Sequence, residues 1–190
     1  MSAWGRRGAV EVILREHEQL ATVNRGMQEF VSTLEIGSGT QDLVILRAML
    51  YYIREYPQQV HHPKEDRFLF VRLRERTHEL DEVIDKLEGQ HVQGDIQVRK
   101  LEHALTRYEL GGGTTCASLK CLVDEYANFS SDHRRMEEDL ILPAARRFLT
   151  KDDWDELDAA FGANRDPFDG VKLEEDLDKL FNMIVTTVPR

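Results

Sequence analysis

The stretch "VHHPKED" at residues 60–66 places two histidines, a proline and two carboxylates inside a pattern that otherwise reads as an amphipathic helix. A proline in a helix interior costs about 3 kcal/mol, so stability alone does not explain this segment. Imidazoles and carboxylates are, however, common metal ligands. His61 and Glu65 are four residues apart and therefore share one face of a helix. The segment predicts a polar, ligand-like pair on the inward face.

The same pair occurs a second time in the chain. His133 is followed at the fourth position by Glu137, and a lone histidine lies on the apolar stripe of each preceding helical segment. The chain thus reads twice as a helix with one histidine followed by a helix with His-x-x-x-Glu. An antiparallel bundle of two such halves would bring six side chains to one level of the core: His17, His61, Glu65, His91, His133 and Glu137.

Each of these six residues, taken alone, has an ordinary structural explanation. A histidine on an apolar stripe is usually a core residue with a hydrogen-bond partner, and a buried glutamate is usually half of an ion pair. Two uncompensated carboxylates facing each other in a dry core would cost several kcal/mol. Bound cations remove that cost. The repeated spacing therefore favours a binuclear metal site.

At helical spacing, several polar residues near the six candidate ligands lie outside the apolar stripe that faces inward. His62 and Asp66 repeat the four-residue spacing on an adjacent face, where we expect them to be exposed or to support the ligands. A ligand role for His62 is the less favoured alternative. Glu138, like Asp66, is expected to be solvated. Asp95 lies four residues after His91, where we expect a solvated side chain or a partner of an N–H group. A weak or water-mediated ligand is the less favoured alternative.

The dominant hydrophobic period is 3.6 residues, which predicts an all-α fold. The pattern gives four long helices joined by short connections, over residues 8–35, 41–76, 78–109 and 115–149. Short connections between long helices predict an up-down-up-down four-helix bundle. Pro57 and Pro63 predict a kink or local break in the second helix.

The remainder of the chain predicts a helical C-terminal extension. Thr150 and Asp153 resemble a capping box at the start of a short helix that runs to about residue 162. Leu173, Leu177, Leu180, Phe181 and Ile184 mark a last helix. We expect residues 1–149 to form the bundle and residues 150–190 to pack on it.

Charge and cysteine content narrow the class of protein. The 190 residues carry 25 Lys and Arg against 35 Asp and Glu, a net charge of −10, which argues against binding to nucleic acid or an anionic membrane. Neither a signal-peptide pattern nor a membrane-length apolar run is evident. Cys116 and Cys121 are poorly spaced for a disulfide on a helix, which predicts reduced thiols and a cytoplasmic protein.

Four motifs together resemble one known family. "REHEQL", "HHPKEDRFLF", "EGQHVQG" and "HRRMEEDLILP" resemble the hemerythrin-like, or HHE cation-binding, family over residues of about 10–149. The resemblance implies two iron ions in an Fe–O–Fe type centre, with manganese or zinc as substitutes. It implies four terminal histidines, His17, His61, His91 and His133, and two bridging carboxylates, Glu65 and Glu137. It also implies that the protein binds or senses oxygen, nitric oxide or an oxidative state.

One departure from the family pattern bears on function. Oxygen-carrying hemerythrins have a further histidine four residues from the one on the third helix, whereas Leu87 and Asp95 flank His91 here. The pattern therefore predicts one imidazole fewer and a more open iron, which puts reversible oxygen carriage in doubt and brings the chain closer to members that respond to nitric oxide or repair iron–sulfur clusters.

Several alternatives stay open at the level of the sequence. An iron-handling or cluster-repair protein that donates metal to a client would use the same ligands, and so would a di-iron oxidase or peroxidase-like enzyme. We rank the enzyme last because no organic-substrate pocket is evident. A ferritin-like site needs Glu-x-x-His on two helices, but "ERTH" and "EGQH" lie too close together in the chain to supply it. The ligand, the partner protein and homodimer formation are left open.

Overall fold

The computed structural model describes residues 8–34, 43–111, 115–162, 182 and 186. Within these residues every regular element is a helix. The elements are α1 (Ala9–Thr33), α2 (Leu43–Glu55), π1 (Pro57–His61), α3 (His62–Lys64), π2 (Glu65–Leu69), α4 (Phe70–Arg76), α5 (Asp81–Gly111), α6 (Cys116–Met136), π3 (Glu137–Ile141), α7 (Leu142–Phe148) and α8 (Lys151–Gly162). The predicted all-α class is confirmed. Among these helices, none combines the length and hydropathy that a membrane crossing requires.

The four predicted helical segments pack around a common core. α1 packs against α2 and α6, and α5 packs against the same two helices. Each of these helices therefore has two neighbours, which is the arrangement of a helical bundle. The first and third predicted segments correspond to single α-helices, α1 and α5.

The second and fourth predicted segments are interrupted by single π-helical turns. The amide of His62 donates to the carbonyl of Pro57, that of Phe70 to Glu65, and that of Leu142 to Glu137, so each bond spans five residues instead of four. α2 ends at Glu55, just before Pro57, which agrees with the predicted local break. Single π turns inside α-helices are frequent at functional sites.

Two apolar clusters fill the core and leave a polar layer between them. The first includes Val23, Met27, Leu46, Ile53 and Tyr126. The second includes Ile13, Leu73, Ile84, Leu87, Ile141 and Phe161. Along α1 the buried residues Glu16 and His17 separate the two clusters, and the other buried histidines and glutamates occupy the same level. Burial of such apolar side chains stabilises the fold by about 1.5–3 kcal/mol each, which can offset the cost of the polar layer.

The described start of the C-terminal extension packs on the bundle. α8 lies against α1, and its Leu157 and Phe161 are fully buried in the second cluster. The capping box is present, since the Thr150 amide donates to Asp153 Oδ2 at 2.8 Å and the Asp153 amide donates to Thr150 Oγ1 at 3.3 Å. The predicted last helix lies almost wholly outside the described residues.

The two cysteines differ in solvent exposure. Cys116 is buried in the first apolar cluster and Cys121 is exposed, and both thiols are free. This agrees with the prediction of two reduced thiols.

Candidate metal centre

The bundle brings all six predicted residues into the buried polar layer. Each of these side chains has at most about 6% of its residue surface exposed. They are His17 on α1, His61 at the end of π1, Glu65 at the start of π2, His91 on α5, His133 on α6 and Glu137 at the start of π3. The inward-facing prediction for these residues therefore agrees with their placement.

Each carboxylate turns its two oxygens toward different histidines. Glu137 Oε2 is 3.2 Å from His17 Nε2, whereas its Oε1 is 3.1 Å from His133 Nε2. Glu65 Oε1 is 3.2 Å from His61 Nε2, and its Oε2 is 3.6 Å from His91 Nε2. Both side chains thus lie between one pair of imidazoles and another, which is the position that a bridging carboxylate requires.

The donor atoms form two groups, and within each group they lie within 4.8 Å of one another. We call the group of His17, His61, Glu65 and Glu137 the proximal group, and the group of His62, Glu65, His91 and His133 the distal group. Glu65 belongs to both. Each set of imidazole nitrogens and carboxylate oxygens could hold a divalent first-row metal ion.

The position of His62, on the helix face next to His61, differs from the exposed or supporting position that the sequence predicts. It is buried, with 8% of its surface exposed, and its ring stacks on that of His91 with the centroids 4.1 Å apart. The reason is the π1 turn, because the wider turn carries the residues after Pro57 to positions that a 3.6-residue period does not predict. A fifth imidazole therefore lies in the polar layer, at the neighbouring position on the second helical segment.

Carboxylates accept from Nδ1 of three imidazoles, those of His17, His91 and His61, and the partner of His61 is Glu16. The Nδ1–H of His17 donates to Glu138 Oε1 at 2.9 Å, and the Nδ1–H of His91 donates to Asp66 Oδ1 at 2.8 Å. The bond to His91 agrees with the prediction that Asp66 is exposed or supports a ligand, whereas the prediction that Glu138 is solvated misses its bond to His17; each of the two carboxylates is about one-third exposed. A carboxylate on Nδ1 fixes the ring and leaves the Nε2 lone pair free for a metal.

Amide oxygens orient the other two imidazoles. The Nδ1–H of His133 donates to Gln90 Oε1 at 2.9 Å, and that of His62 donates to Gln58 Oε1 at 3.3 Å. Gly94 on α5 gives Gln58 its space, since a Cβ there would lie 2.9 Å from the Gln58 amide nitrogen. With an oxygen acceptor on every Nδ1, neutral imidazoles can present Nε2 to a metal.

Glu16 is a buried residue that sequence reasoning missed. It is 2% exposed, accepts from His61 Nδ1 at 2.6 Å, and accepts from the Tyr56 hydroxyl at 2.5 Å. Burial alone would raise the pKa of Glu16, but the bonds from His61 and Tyr56 lower it below its usual value. The only signal in the sequence is its place directly before His17 in "REHEQL".

The centre of the layer has polar atoms with no hydrogen-bond partner among the described residues. Both oxygens of Glu65 and Glu137 and the Nε2 atoms of His17 and His61 are buried and lack one. Unsatisfied buried carboxylate oxygens are costly and call for a compensating group. A pair of cations would satisfy all of these atoms at once, so the donor set fits two metal ions.

Burial and neighbouring charges shift the pKa values of several residues in the polar layer. Burial alone would raise the pKa of Glu137, but the adjacent His133 and His17 hold it well below its usual range. Burial opposes protonation of His91, yet Asp66 and Glu137 raise its pKa to about 9. Burial and the neighbouring imidazoles instead lower the pKa of His62 well below normal. The carboxylates and imidazoles of the layer therefore shift one another's pKa values, upward for His91 and downward for Glu137 and His62.

Asp95 and the remaining histidines lie elsewhere. Asp95 pairs with Arg99 at 3.2 Å on the surface and belongs to neither group, so the structure does not place it as a ligand. His78 and His103 are exposed.

Comparison with known proteins gives one family. The model of the hemerythrin HHE cation-binding domain matches residues 8–145, which is most of the chain. This range contains all seven histidines and glutamates of the proximal and distal groups. A search among curated proteins finds no significant match.

Proposed function

Because the chain belongs to the hemerythrin HHE cation-binding family, we propose that it is a non-haem di-iron protein that binds a small diatomic ligand, oxygen or nitric oxide, or senses an oxidative state. The observation that carries the proposal is the pair of adjacent donor groups that share Glu65. Imidazole and carboxylate ligands suit iron, and manganese or zinc can occupy such sites as substitutes.

The proximal ion would be held by His17 and His61, and the distal ion by His62, His91 and His133. Glu65 and Glu137 would bridge, because each turns one oxygen toward each group. His62 was not among the ligands predicted from the sequence, and its burial beside His91 supports including it. The bundle that holds these residues is proposed to run up, down, up and down, as the short connections predict.

This assignment makes the two ions unequal. The proximal ion would receive two imidazoles and the distal ion three, in addition to the shared carboxylates. The proximal ion would therefore be the more open one, and His17 lines a cleft between α1 and α6. With His62 included, the number of imidazoles is five, so the missing histidine on the third helix no longer argues against oxygen binding.

When bound, a pair of iron ions supplies reversible one-electron changes at each metal and an open position for a small ligand. The residues of the chain would hold and orient this pair. Glu138, Glu16 and Asp66 keep Nδ1 of their histidines protonated and aim Nε2 at the centre. The apolar clusters on both sides exclude bulk water from the layer.

Two other functions use the same site and differ in what happens to the metal. An iron-handling or cluster-repair protein would give its iron to a client, and a di-iron oxidase or peroxidase-like enzyme would turn over repeatedly with oxygen or peroxide. We also propose that the protein is cytoplasmic and acts on a client or signalling protein. We propose the homodimer as its oligomeric state, which a measurement of mass in solution would test. The net charge of −10 does not favour nucleic acid or an anionic membrane as a partner.

The deciding experiment is an optical titration of the tag-free, iron-loaded and reduced protein with nitric oxide. Saturable ligand bands at a fixed stoichiometry, with iron retained against a mild chelator, support ligand binding. Rapid loss of iron to the chelator or to an apo iron–sulfur acceptor supports iron handling instead. Many turnovers with oxygen or peroxide support the enzyme. Absence of ligand bands from fully loaded protein would contradict the proposed diatomic binding.

A further inference from the structure

The helix α8 lies alongside the second helical segment, which runs from α2 to α4. Two acidic side chains in the first half of α8 bond to arginines of α4, Asp153 to Arg76 at 2.8 Å and Glu156 to Arg72 at 2.7 Å. The residue number rises along α8 while that of its partners falls, so the two helices are antiparallel. α8 is thereby fixed along the helix that follows the turn of Glu65.

The last turn of α8 reaches the level of the polar layer. The ammonium group of Lys64 lies 5.7 Å from the centroid of the Phe161 ring, within the range of a cation–π contact. A positive charge is also favourable at the C-terminal end of a helix. Lys64 directly precedes Glu65, and α8 packs against π2 itself. The C-terminal end of α8 therefore lies beside the turn that carries the shared carboxylate.

α8 also holds the start of α1. The amide of Ala9 donates to Asp158 Oδ1 at 2.7 Å. This amide belongs to the first turn of α1, whose N–H groups have no partner within the helix, and the preceding residue, Gly8, has no side chain to cap it. A carboxylate at this end also complements the helix dipole. Asp158 therefore ties α8 to the helix that carries His17.

The two segments that α8 joins carry most of the proximal group. α1 supplies His17, and the second helical segment supplies His61 and Glu65. His17 belongs to the proximal group and not to the distal one, so the position of α1 concerns the proximal ion above all. A metal ion requires its ligand atoms within about 0.2 Å of fixed distances, so movement of α1 against the second segment would weaken the proximal site.

We propose that α8 is a brace for the proximal site: when docked, it fixes α1 against the second helical segment, and when undocked, it lets the proximal ion leave before the distal one. The inference rests on the di-metal centre proposed above and gives the order in which its ions are released. α8 begins at Lys151, beyond the residues 8–145 that match the family, so membership of the family does not assign it this role.

The first test is amide hydrogen exchange of the unaltered full chain, with and without bound zinc. Because coupling between two events is reciprocal, zinc must favour docked α8 by the factor by which docking favours zinc. We expect exchange in α8 to slow by about tenfold or more on zinc loading. Residues 105–111, at the far end of α5, should slow by much less. Exchange in α8 that zinc leaves unchanged, or slows no more than in residues 105–111, would overturn the proposal.

The second test undocks α8 by breaking its helix. Ala159 is exposed, and Ala159→Pro removes a helical hydrogen bond without touching a ligand, whereas Ala159→Ser is the matched control. In a His133→Ala background, which lacks a distal ligand, Ala159→Pro is expected to weaken binding of the remaining zinc by about tenfold. In a His17→Ala background it should change that affinity by less than about threefold. Equal effects in both backgrounds, measured by competition with a chromophoric chelator, would contradict a brace for one site.

Two further variants separate the brace from general stability. Phe161→Ala loosens α8 and is expected to act like Ala159→Pro, whereas Leu46→Ala removes packing from the first apolar cluster, away from α8. Circular dichroism identifies conditions in which each variant is folded. Equal loss of proximal affinity in Leu46→Ala would show a stability effect and overturn the proposal.

The outcome for the unaltered chain keeps this inference distinct from the proposed function. If it binds two zinc ions and neither α8 variant changes either affinity, the brace fails while the metal centre stands. If it takes up no metal pair, the proposed function itself fails.

Discussion

His62 stacks on His91 with the ring centroids 4.1 Å apart and the planes 9° from parallel. The two imidazoles come from neighbouring helices and both belong to the distal group. His62 also lies edge-on to His133, with centroids 5.4 Å apart. The stack therefore places a fifth imidazole in a layer for which the sequence pattern supplied four.

Removal of His62 is predicted to weaken the distal site selectively. His62→Leu fills a similar space but provides no nitrogen, so we expect the metal content to fall from about two ions per chain toward one, and the affinity for the second ion to fall by 10-fold or more. His103→Leu, at an exposed position of α5, is the matched control. Metal analysis after anaerobic loading measures the effect, and equal metal content in both variants would exclude His62 as a ligand.

Loss of the carboxylate on Glu16 is predicted to weaken the proximal site without removing a ligand. Glu16→Gln takes the anion from His61 Nδ1, and replacement of such a supporting group typically costs 10–100-fold in metal affinity. Tyr56→Phe removes only the hydroxyl bonded to Glu16 and is expected to have a smaller effect. Competition with a chromophoric chelator measures both. Equal affinities of Glu16→Gln and the unaltered protein would show that Glu16 is only a core residue.

The packing of α8 on the bundle is predicted to contribute to stability. Phe161 is fully buried against the second apolar cluster, so Phe161→Ala should lower the free energy of unfolding by about 3–5 kcal/mol. Leu110→Ala, at a position that is 86% exposed, should change it by less than about 0.5 kcal/mol. Urea unfolding monitored by circular dichroism gives both values. A small effect of Phe161→Ala would mean that the extension is not part of the cooperative fold.

The contact between Asp153 and Arg76 is predicted to make stability depend on pH in the acid range. Asp153 accepts two hydrogen bonds of 2.8 Å from the guanidinium of Arg76. The guanidinium, together with the bonds from Thr150, holds the pKa of the Asp153 carboxyl below its usual value of 3.8, although burial would raise it. A lowered pKa in the folded state adds stability that is complete above pH of about 4. That stability is lost as the pH falls through the folded pKa.

Asp153→Asn tests this contribution directly. Relative to the unaltered protein, it should lower the free energy of unfolding by about 1 kcal/mol at pH 7, since it weakens a helix cap and a partly exposed ion pair. The difference between the two proteins should shrink below pH 4. Urea midpoints measured from pH 7 down to pH 3 provide the test. A difference that grows toward low pH would contradict the assigned sign.

The helix-level architecture could be predicted because it depends on a regular period. The apolar spacing located α1 and α5, and the repeated His-x-x-x-Glu pair placed His61 with Glu65 and His133 with Glu137 in the core. These residues agree with a 3.6-residue period because each pair is only one turn long. The capping box at Thr150 is equally local and was predicted for the same reason.

The features that could not be predicted depend on the π turns and on contacts between distant residues. π1 changes the direction of His62, and no spacing rule for an α-helix accounts for that change. Asp66 reaches His91 from another helix, and Glu138 reaches His17. Such partners become visible only when the helices are packed. Glu16 was hidden because an acid among charged residues of α1 resembles a solvated one.

The most direct test of the central claim is a crystal structure of the iron-loaded protein with anomalous diffraction at the iron edge. We predict two iron peaks per chain, one among His17, His61, Glu65 and Glu137, and one among His62, His91, His133 and Glu65. Both glutamates should contact both ions. A single peak, no peak after anaerobic loading, or two ions with His62 outside their coordination would contradict the account.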